Sequence, residues 1–568
     1  MPHATSTLTT DERLAFEARI AALTTERDQL AAERDRLRAS HVRLLQELAL
    51  LRRRIFVATA ERVDTSQLEM EFAAKLAELD KLGGVPSKDA DDGNEGDDAR
   101  KKKRKKTTPT GRRDLMALDL EEDRVEILDP LFEELVACGK AERAGFETSA
   151  KLGYKRGGLR RVVCARAKYR VLDAQGESHI ETTPMPPECF ARSMAAPSLL
   201  AKVITDKYCD GLPLNRIEDR FARDGARIDR GTMCRWVEDA GATAGATVIA
   251  AARAEAISTA FCMATDATGI AVQPIASHQK GRQPCRRGHY FVLIADRDHI
   301  FFEYTPKENS RVVAEMFRGY GGYIQADAKS VYDVLFRAPE PERDPPDDAA
   351  IKVEVGCWSH ARRKFWEATA AKSAVAREGL ARIGRMFELD ASWKGKAPAE
   401  ILRLRQAHLR PHFEAFFAWA DVEHDRVKGE RGLLRSALGY VVRQKDALMR
   451  VLDDGRLVLE NNRSERELRR IAVGRNAWLF VGSDDHAQSA GHLFSLIASA
   501  RLHGLDPEAY VRDLFRVLAH WPRDRYLELA PKYWTATRAR LDPIELEREL
   551  GAITVPPPPA ATKETNAR

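Results

Sequence analysis

Two aspartates lie where apolar strands would bring them together. The apolar run "AFCMATDATGIAVQP" carries Asp266 in its middle, and the short strand "GYIQAD" ends on Asp327. If the two strands are neighbours in a sheet, their carboxylates converge, and like charges repel unless a cation lies between them. Mg²⁺, or Mn²⁺ in its place, takes oxygen ligands and suits such a pair. The sequence therefore predicts a divalent metal site at Asp266 and Asp327.

A third carboxylate would complete a two-metal site for phosphodiester chemistry. In the segment "ENNRSERELRR" drawn as a helix, Asn461, Glu465 and Arg469 share one face, whereas Leu468 and Ile471 lie on another face that can pack inward. Glu465 is the candidate for the third metal ligand, so the predicted catalytic residues are Asp266, Asp327 and Glu465. Glu460 and Glu467 are the alternatives within the same segment.

Basic residues near these carboxylates could hold phosphates, because arginine grips phosphate oxygens in a bidentate manner and helix N-termini favour anions. Surface ion pairing is the alternative for each of them. Trp358, beside one of these groups, is better interpreted as a core residue than as a platform for a base. The candidates for DNA contact here are Arg466, Arg469 and Arg470, and His360, Arg362, Arg363 and Lys364.

The elements around the carboxylates follow the order strand, strand, strand, helix, strand, helix, strand, helix. This order, with one Asp on the first strand and another at the end of the fourth, resembles the ribonuclease H-like fold, in which those two strands lie side by side. The predicted catalytic domain begins with residues 255–366 and is completed by residues 451–520. Residues 367–450, which are helical in pattern and rich in Arg and Ala, are predicted to form a helical insertion.

Residues 191–250 predict helices joined by short turns. Gly225 ends one helix and Asp229 caps the next, on which Arg230 and Arg235 are exposed while Met233 and Trp236 pack inward. This pattern is typical of a helix-turn-helix that binds DNA, with both arginines as contacts, although small helical bundles share it.

The N-terminal part predicts self-association followed by a linker. Leucines recur every seven residues within residues 10–60, as in a coiled coil that would make the protein a homo-oligomer. A helix and an acidic then basic disordered linker follow at 61–113, and residues 114–190 form a small strand-containing domain. Residues 521–568 are predicted to be a C-terminal extension with a disordered tail.

Composition excludes several classes of protein. The chain has 568 residues, 44% of them hydrophobic, and no apolar run long enough to span a bilayer, so no membrane partner is expected. Its eight cysteines include no CxxC pair, and its first residues lack the pattern of a signal peptide. We therefore expect a multidomain α/β protein of the cytoplasm, associated with the nucleoid.

Four motifs in order resemble the transposases of the insertion sequence 66 family: "SLLAKVITDKYCDGLPLNRIEDRFAR", "GCWSHARRKF", "ENNRSERELRRIAVGRNAWLFVGS" and "SLIASARLHGLDPEAYVRDLF". The resemblance implies a ribonuclease H-like domain with an Asp, Asp, Glu triad, matched here by Asp266, Asp327 and Glu465. Two departures are visible. Ala267 stands where the family commonly has Glu, and the Cys-rich zinc finger of many members is reduced to isolated cysteines, as in a degenerate zinc-finger region.

The resemblance implies a transposase that cuts DNA at the ends of an insertion sequence and joins the freed 3′-OH to target DNA with Mg²⁺ or Mn²⁺. Helper proteins encoded by the same element are possible further partners. The alternative is a transposase-derived DNA-binding protein without catalysis, acting as a repressor or structural factor.

Overall fold

The computed structural model describes residues 19, 23–34 and 115–559, apart from 117, 119, 156, 173–176, 192, 275–283, 338–347 and 372. Contacts divide the chain into two units. One comprises Met1–Arg104 and Gly356–Leu459, and the other comprises Lys105–Val355 and Glu460–Arg568.

The described elements are mixed α and β. The strands are β1 (Glu121–Ile127), β2 (Ala141–Lys155), β3 (Gly158–Leu172), β4 (Ser178–Thr182), β5 (Cys262–Val272), β6 (Arg286–Ala295), β7 (His299–Thr305), β8 (Tyr323–Gln325) and β9 (Val353–Val355). The α-helices are α1 (Pro130–Ala137), α2 (Pro197–Tyr208), α3 (Leu214–Arg223), α4 (Arg230–Ala244), α5 (Ala250–Thr259), α6 (Ser310–Met316), α7 (Trp358–Ala368), α8 (Ala374–Ser392), α9 (Pro398–Leu404), α10 (Arg410–Arg426), α11 (Leu433–Arg443), α12 (Lys445–Met449), α13 (Asn462–Trp478), α14 (Asp484–Leu502), α15 (Pro507–Val517), α16 (Pro531–Arg538) and α17 (Pro543–Glu547). No described helix is both long and apolar enough to cross a membrane.

Most of the predicted coiled coil, and all of the predicted linker at 61–113, lie outside the described residues. Residues 23–34 are helical. Two leucines of the predicted seam, Leu23 and Leu30, are 53% and 59% exposed on this helix. The self-association through residues 10–60 stays a prediction.

Replacing Leu30 and Leu37 together by Lys should lower the oligomeric state measured by light scattering. Each charge would be buried in the predicted seam at a cost on the order of several kcal/mol. The matched control replaces Ala32 and Ala39 by Lys, because each lies two positions further along the heptad, outside the seam. An oligomer that survives the leucine substitutions would rule out this seam as the interface.

The predicted small domain at 114–190 is a sheet in which β3 is central. It pairs with β1 in parallel and with β2 and β4 in antiparallel fashion. Strands β2 and β3 of this sheet each run for 15 residues. Many of its basic side chains pair with glutamates on neighbouring strands, for example Arg160 with Glu121 and Arg166 with Glu147. These cross-strand pairs offset much of the positive charge of this sheet.

The region predicted as a helix-turn-helix consists of short helices around a tight turn between α3 and α4. The side chain of Asp229 caps α4 by accepting a hydrogen bond from the amide of Gly231, and Gly225 follows α3 with φ of +95°. Met233 and Trp236 are 0% and 8% exposed, whereas Arg230 and Arg235 are exposed. The predicted cap, stop and inward face are confirmed.

A five-stranded sheet forms the core of the second unit. Its strand order is β7-β6-β5-β8-β9, with β6 antiparallel to β5 and β7, and with β5, β8 and β9 parallel. The elements follow the predicted order, except that the helix after β8 is a 3₁₀-helix, Ser330–Leu335. Helix α14 covers the edge strand β7, where the hydroxyls of Ser495 and Ser499 accept hydrogen bonds from the amides of Phe302 and Ile300. These bonds satisfy backbone groups that an open edge would expose.

Helices α4 and α14 cross in close contact. A Cβ at Gly241 would lie 2.2 Å from the carbonyl oxygen of Ser489, and a Cβ at Gly245 would lie 1.9 Å from the ring of His492. A side chain at Gly241 would collide with the backbone of α14, and one at Gly245, just after α4, would collide with the ring of His492, so the predicted DNA-reading helix packs closely against the helix that covers the central sheet.

The helical unit is wider than the predicted insertion. It spans Gly356–Leu459 rather than 367–450. Helix α7 begins it, because Trp358 is fully buried and packs on Phe413, Phe416 and Phe417 of α10. The interpretation of Trp358 as a core residue is confirmed, and its indole donates to the carbonyl of Leu448.

The C-terminal extension is folded up to residue 559. Trp534 on α16 is 2% exposed and packs edge-on against Tyr510 of α15. Lys532 lies 3.2 Å from the carboxylate of Glu255, on α5. The predicted disordered tail begins at Val555, which packs against the core, and residues 560–568 of it lie outside the described residues.

Candidate active site

Asp266 and Asp327 lie side by side on adjacent strands. Strands β5 and β8 pair in parallel, and Ala264 is the register partner of Gln325. Each aspartate lies two residues beyond this pair in its own strand direction. Because side chains alternate between faces and neighbouring strands lie about 4.8 Å apart, the two carboxylates belong to the same side of the sheet.

Helix α13 carries Glu465 in its first turn and is fastened to β5 at both ends. Near its start, the buried amide of Asn461 donates to the carbonyl of Thr265 at 2.8 Å, one residue before Asp266. Near its end, the guanidinium of Arg475 donates to the carbonyl of Gly269 at 2.6 Å. Leu468 and Ile471 are buried, as predicted. Helix α13 therefore holds Glu465 beside the strand of Asp266.

The three carboxylates influence one another. Burial, together with the charges of Asp327 and Glu465, raises the pKa of Asp266 to about 6 against the opposing hydrogen bond from the amide of Ala267. A like-charge effect of this kind requires the carboxylates to be close neighbours. The structure thus brings Asp266, Asp327 and Glu465 into one electrostatic group.

Two residues of this group were missed by sequence reasoning. The ammonium of Lys329 lies 3.7 Å from Asp327 and 3.5 Å from Glu308. Burial lowers the pKa of Lys329, but Asp327, Asp266 and Glu308 outweigh burial and raise it. Lys329 could have been noticed because it follows Asp327 by two residues. Glu308 lies in a loop before α6, and no sequence pattern indicated that it would lie near the carboxylates.

The three carboxylates suit a hard divalent cation, although their present rotamers do not form a complete coordination shell. All three carboxylates offer oxygen ligands, and the buried Oδ1 of Asp327 has no hydrogen-bond partner among the described residues. Within the described part of the chain, no three side chains of His, Cys, Asp or Glu stand closely enough together to ligate one ion as they are. Binding an ion between the carboxylates would therefore require side-chain rotation.

The geometry favours Glu465 over its two alternatives. The Glu460 side chain is exposed and accepts a hydrogen bond from the amide of Asn462. Glu467 pairs with Arg470 at 3.0 Å. Neither contributes to the raised pKa of Asp266, whereas Glu465 does. The role of Glu465 as a metal ligand stays a prediction.

Replacing Asn461 by Ala should reduce activity more than binding of DNA. Asn461 is 2% exposed, donates to Thr265 and accepts from the hydroxyl of Ser464 at 2.6 Å. Its loss should cost about 1 to 3 kcal/mol of stability and loosen the start of α13, displacing Glu465. Asn462→Ala is the matched control, because among the described residues the amide of Asn462 bonds its neighbour Glu460 alone. The cleavage rate and the DNA affinity are measured for both variants on the same duplex. Equal losses of cleavage in Asn461→Ala and Asn462→Ala would contradict a positioning role for Asn461.

The other predicted DNA contacts fall into two groups. Arg466 and Arg469 are exposed on α13, whereas Arg470 is engaged by Glu467. His360, Arg362, Arg363 and Lys364 lie on α7 in the helical unit. There the guanidinium of Arg362 lies over the ring of Phe387, and the ammonium of Lys364 lies over the ring of Tyr440. Their contact with DNA stays a prediction.

Comparison with known protein families assigns the chain. The family described as "Transposase IS66 family" matches residues 192–489, a range that contains all three carboxylates, and the IS66 C-terminal element matches residues 495–531. The chain belongs to the IS66 family of transposases. Two relatives of this IS66 member are uncharacterized proteins of Sinorhizobium fredii. Protein y4hP is 26% identical over 74% of this chain and 76% of its own length, and y4qI is 24% identical over 92% and 94%.

Proposed function

We propose that this IS66 transposase cuts DNA at the ends of its insertion sequence and joins the freed 3′-OH to target DNA, with Asp266, Asp327 and Glu465 holding Mg²⁺ or Mn²⁺. The observation that carries the proposal is the electrostatic group itself: two aspartates on adjacent parallel strands, and a glutamate on a helix fastened to one of those strands. The sheet order supports a ribonuclease H-like catalytic domain for this region.

Asp266 and Asp327 would hold the cations from the sheet, and Glu465 would do so from α13. When bound, two divalent cations activate the attacking oxygen and offset the charge that develops on the phosphate. Lys329 is placed to offset the negative charge of Asp327 and Glu308 before the cations arrive. Arg466 and Arg469, exposed on the helix of Glu465, would hold the DNA backbone near the carboxylates.

Recognition of the element ends is assigned in this proposal to α3 and α4. Arg235→Ala should weaken binding to end DNA by about 1 to 3 kcal/mol more than binding to scrambled DNA, if Arg235 contacts a base edge. The measurement is a titration of both duplexes at one salt concentration. Arg223→Ala, an exposed arginine at the end of α3, is a control for general charge loss. Equal losses on both duplexes would mean that Arg235 contacts only phosphates.

The experiment that tests the function incubates the purified chain with duplexes from both ends of the element and a supercoiled target plasmid. Mg²⁺-dependent nicking at the element boundary, followed by joined products, is the expected result. Sequence-specific binding with neither nicking nor joining in Mg²⁺ or Mn²⁺ would favour the catalytically inactive DNA-binding protein instead.

A further inference from the structure

A strained turn presents two apolar side chains at the end of α13. Leu479 adopts φ of +65° and ψ of −49°, and the amide of Phe480 donates to the carbonyl of Trp478 at 2.8 Å, which closes a γ-turn around Leu479. A positive φ is costly for a residue with a branched side chain and is found chiefly where function demands it. Leu479 is 68% and Phe480 45% exposed. The strained backbone at Leu479 therefore holds two apolar side chains, Leu479 and Phe480, toward solvent.

The turn is held firmly from behind. Val481 pairs with the end of β5, donating to the carbonyl of Ala271 at 2.9 Å and accepting from the amide of Gln273 at 2.8 Å. Leu479 and Phe480 thus project from a fixed base on the central sheet.

A cavity of about 660 Å³ opens beside this turn. Its lining includes five aromatic side chains, those of Tyr208, Tyr290, Trp478, Phe480 and Phe494, and its volume lies within the range of about 300 to 1,000 Å³ of small-ligand sites. Flat aromatic walls suit a flat aromatic guest, because stacking on such rings stabilises a nucleobase irrespective of its identity.

Two basic side chains, Lys207 and Arg230, line the cavity. The ammonium of Lys207 lies over the rings of Trp478 and Tyr208, at 5.6 and 5.4 Å from their centroids, and forms no ion pair with a described carboxylate. Burial lowers the pKa of Lys207 to about 8, so a bound anion beside it would stabilise the charged form of its ammonium group. Arg230 is exposed.

We propose that this cavity receives one nucleobase turned out of the DNA duplex, while Leu479 fills the gap left in the base stack. Lys207 and Arg230 would hold the flanking phosphates. Apolar side chains that wedge between base pairs commonly accompany such distortion of DNA. The inference rests on the proposed function as a DNA-processing enzyme.

The position of the extruded base follows if the duplex runs parallel to α13. Trp478 lies 13 residues beyond Glu465 on one helix, a distance of about 20 Å along the helix axis. At about 3.4 Å of rise per base pair, the extruded base would lie about six base pairs from the cut phosphate.

The test is a mismatch scan with the full-length protein. A series of end duplexes carries one mismatch each, at successive positions across the first dozen or so base pairs, and fluorescence anisotropy measures the affinity for each duplex. A mismatch lowers the cost of unpairing a base but leaves the base available for the cavity. We expect binding to become about tenfold tighter at one position near the sixth base pair, and 2-aminopurine placed opposite that base to become brighter as it loses its partner.

Two variants and one control make the test specific. Leu479→Gly removes the wedge while suiting the positive φ, and Phe480→Ala removes an exposed wall of the cavity mouth, so neither threatens the fold. Val473→Ala is the control, because Val473 is 63% exposed on the same helix but does not line the cavity. Both test variants should lose the mismatch gain, and the control should keep it.

The outcomes separate the two proposals. No position of tighter binding, in a protein that still binds and cuts end DNA, would overturn base extrusion and leave the proposed function intact. A gain that persists in Leu479→Gly and Phe480→Ala would also overturn it. A protein that neither binds nor cuts end DNA would contradict both proposals.

Discussion

Asp266→Asn should abolish cleavage of end DNA while leaving binding of that DNA intact or tighter. The substitution keeps the shape of the side chain but removes a negative charge that faces Asp327 and Glu465. Since ligation of a divalent cation needs that charge, the cleavage rate should fall by about 10³-fold or more, as for other groups that act only in the transition state. Binding should not suffer, because one less negative charge near DNA phosphates reduces repulsion.

The measurements are single-turnover cleavage and anisotropy on the same duplex. Asp333→Asn is a suitable control, since this aspartate lies in the 3₁₀-helix after Asp327 and has no part in the raised pKa of Asp266. If binding falls as much as cleavage in Asp266→Asn, the residue is structural and the proposed triad is wrong.

The same substitution should stabilise the metal-free protein at neutral pH. Burial, with Asp327 and Glu465, raises the pKa of Asp266 from its ordinary value of 3.8 to about 6. The folded chain then binds a proton more tightly than the unfolded chain. The stability contributed by this protonation is full below pH 4 and is lost as the pH rises through 6. At pH 7 the ionised Asp266 therefore costs about 2 to 3 kcal/mol, which Asn does not incur.

Thermal unfolding in the presence of a chelator, compared at pH 4 and pH 7, measures this effect. The variant should be the more stable protein at pH 7, and the difference should shrink as the pH falls to 4. Mg²⁺ should then raise the melting temperature of the wild type much more than that of Asp266→Asn, because a ligand stabilises the state that binds it. A difference in melting temperature between wild type and variant that is the same at pH 4 and pH 7 would show that the pKa of Asp266 is not raised.

The parts of the candidate site that depend on local periodicity could be predicted from the sequence. An aspartate inside an apolar strand, another at a strand end, and a helix with one packed and one polar face are all readable along the chain. The structure pairs β5 with β8 and buries Leu468 and Ile471 as that reasoning predicted.

What could not be predicted depends on contacts between distant residues. The cavity joins Lys207 to Trp478, which are separated by most of the catalytic region, and no periodicity links them. The role of Asn461 was hidden for a similar reason, because its side chain bonds a carbonyl of β5 instead of capping its own helix. The helical unit begins at Gly356 and not at residue 367, because the aromatic partners of Trp358 lie more than fifty residues later.

The glycines at the crossing of α4 and α14 have a consequence for where DNA is cut. With Gly241 against the backbone of α14 and Gly245 against the ring of His492, and with α14 bonded to β7, the helix assigned to end recognition cannot swing independently of the sheet that carries Asp266. Under the proposed function, the distance between the recognition helix and the catalytic carboxylates is then fixed. The number of base pairs from the recognised sequence to the cut phosphate is set by the protein rather than by the DNA, so an end lengthened by one base pair should be cut one base pair away from its natural boundary.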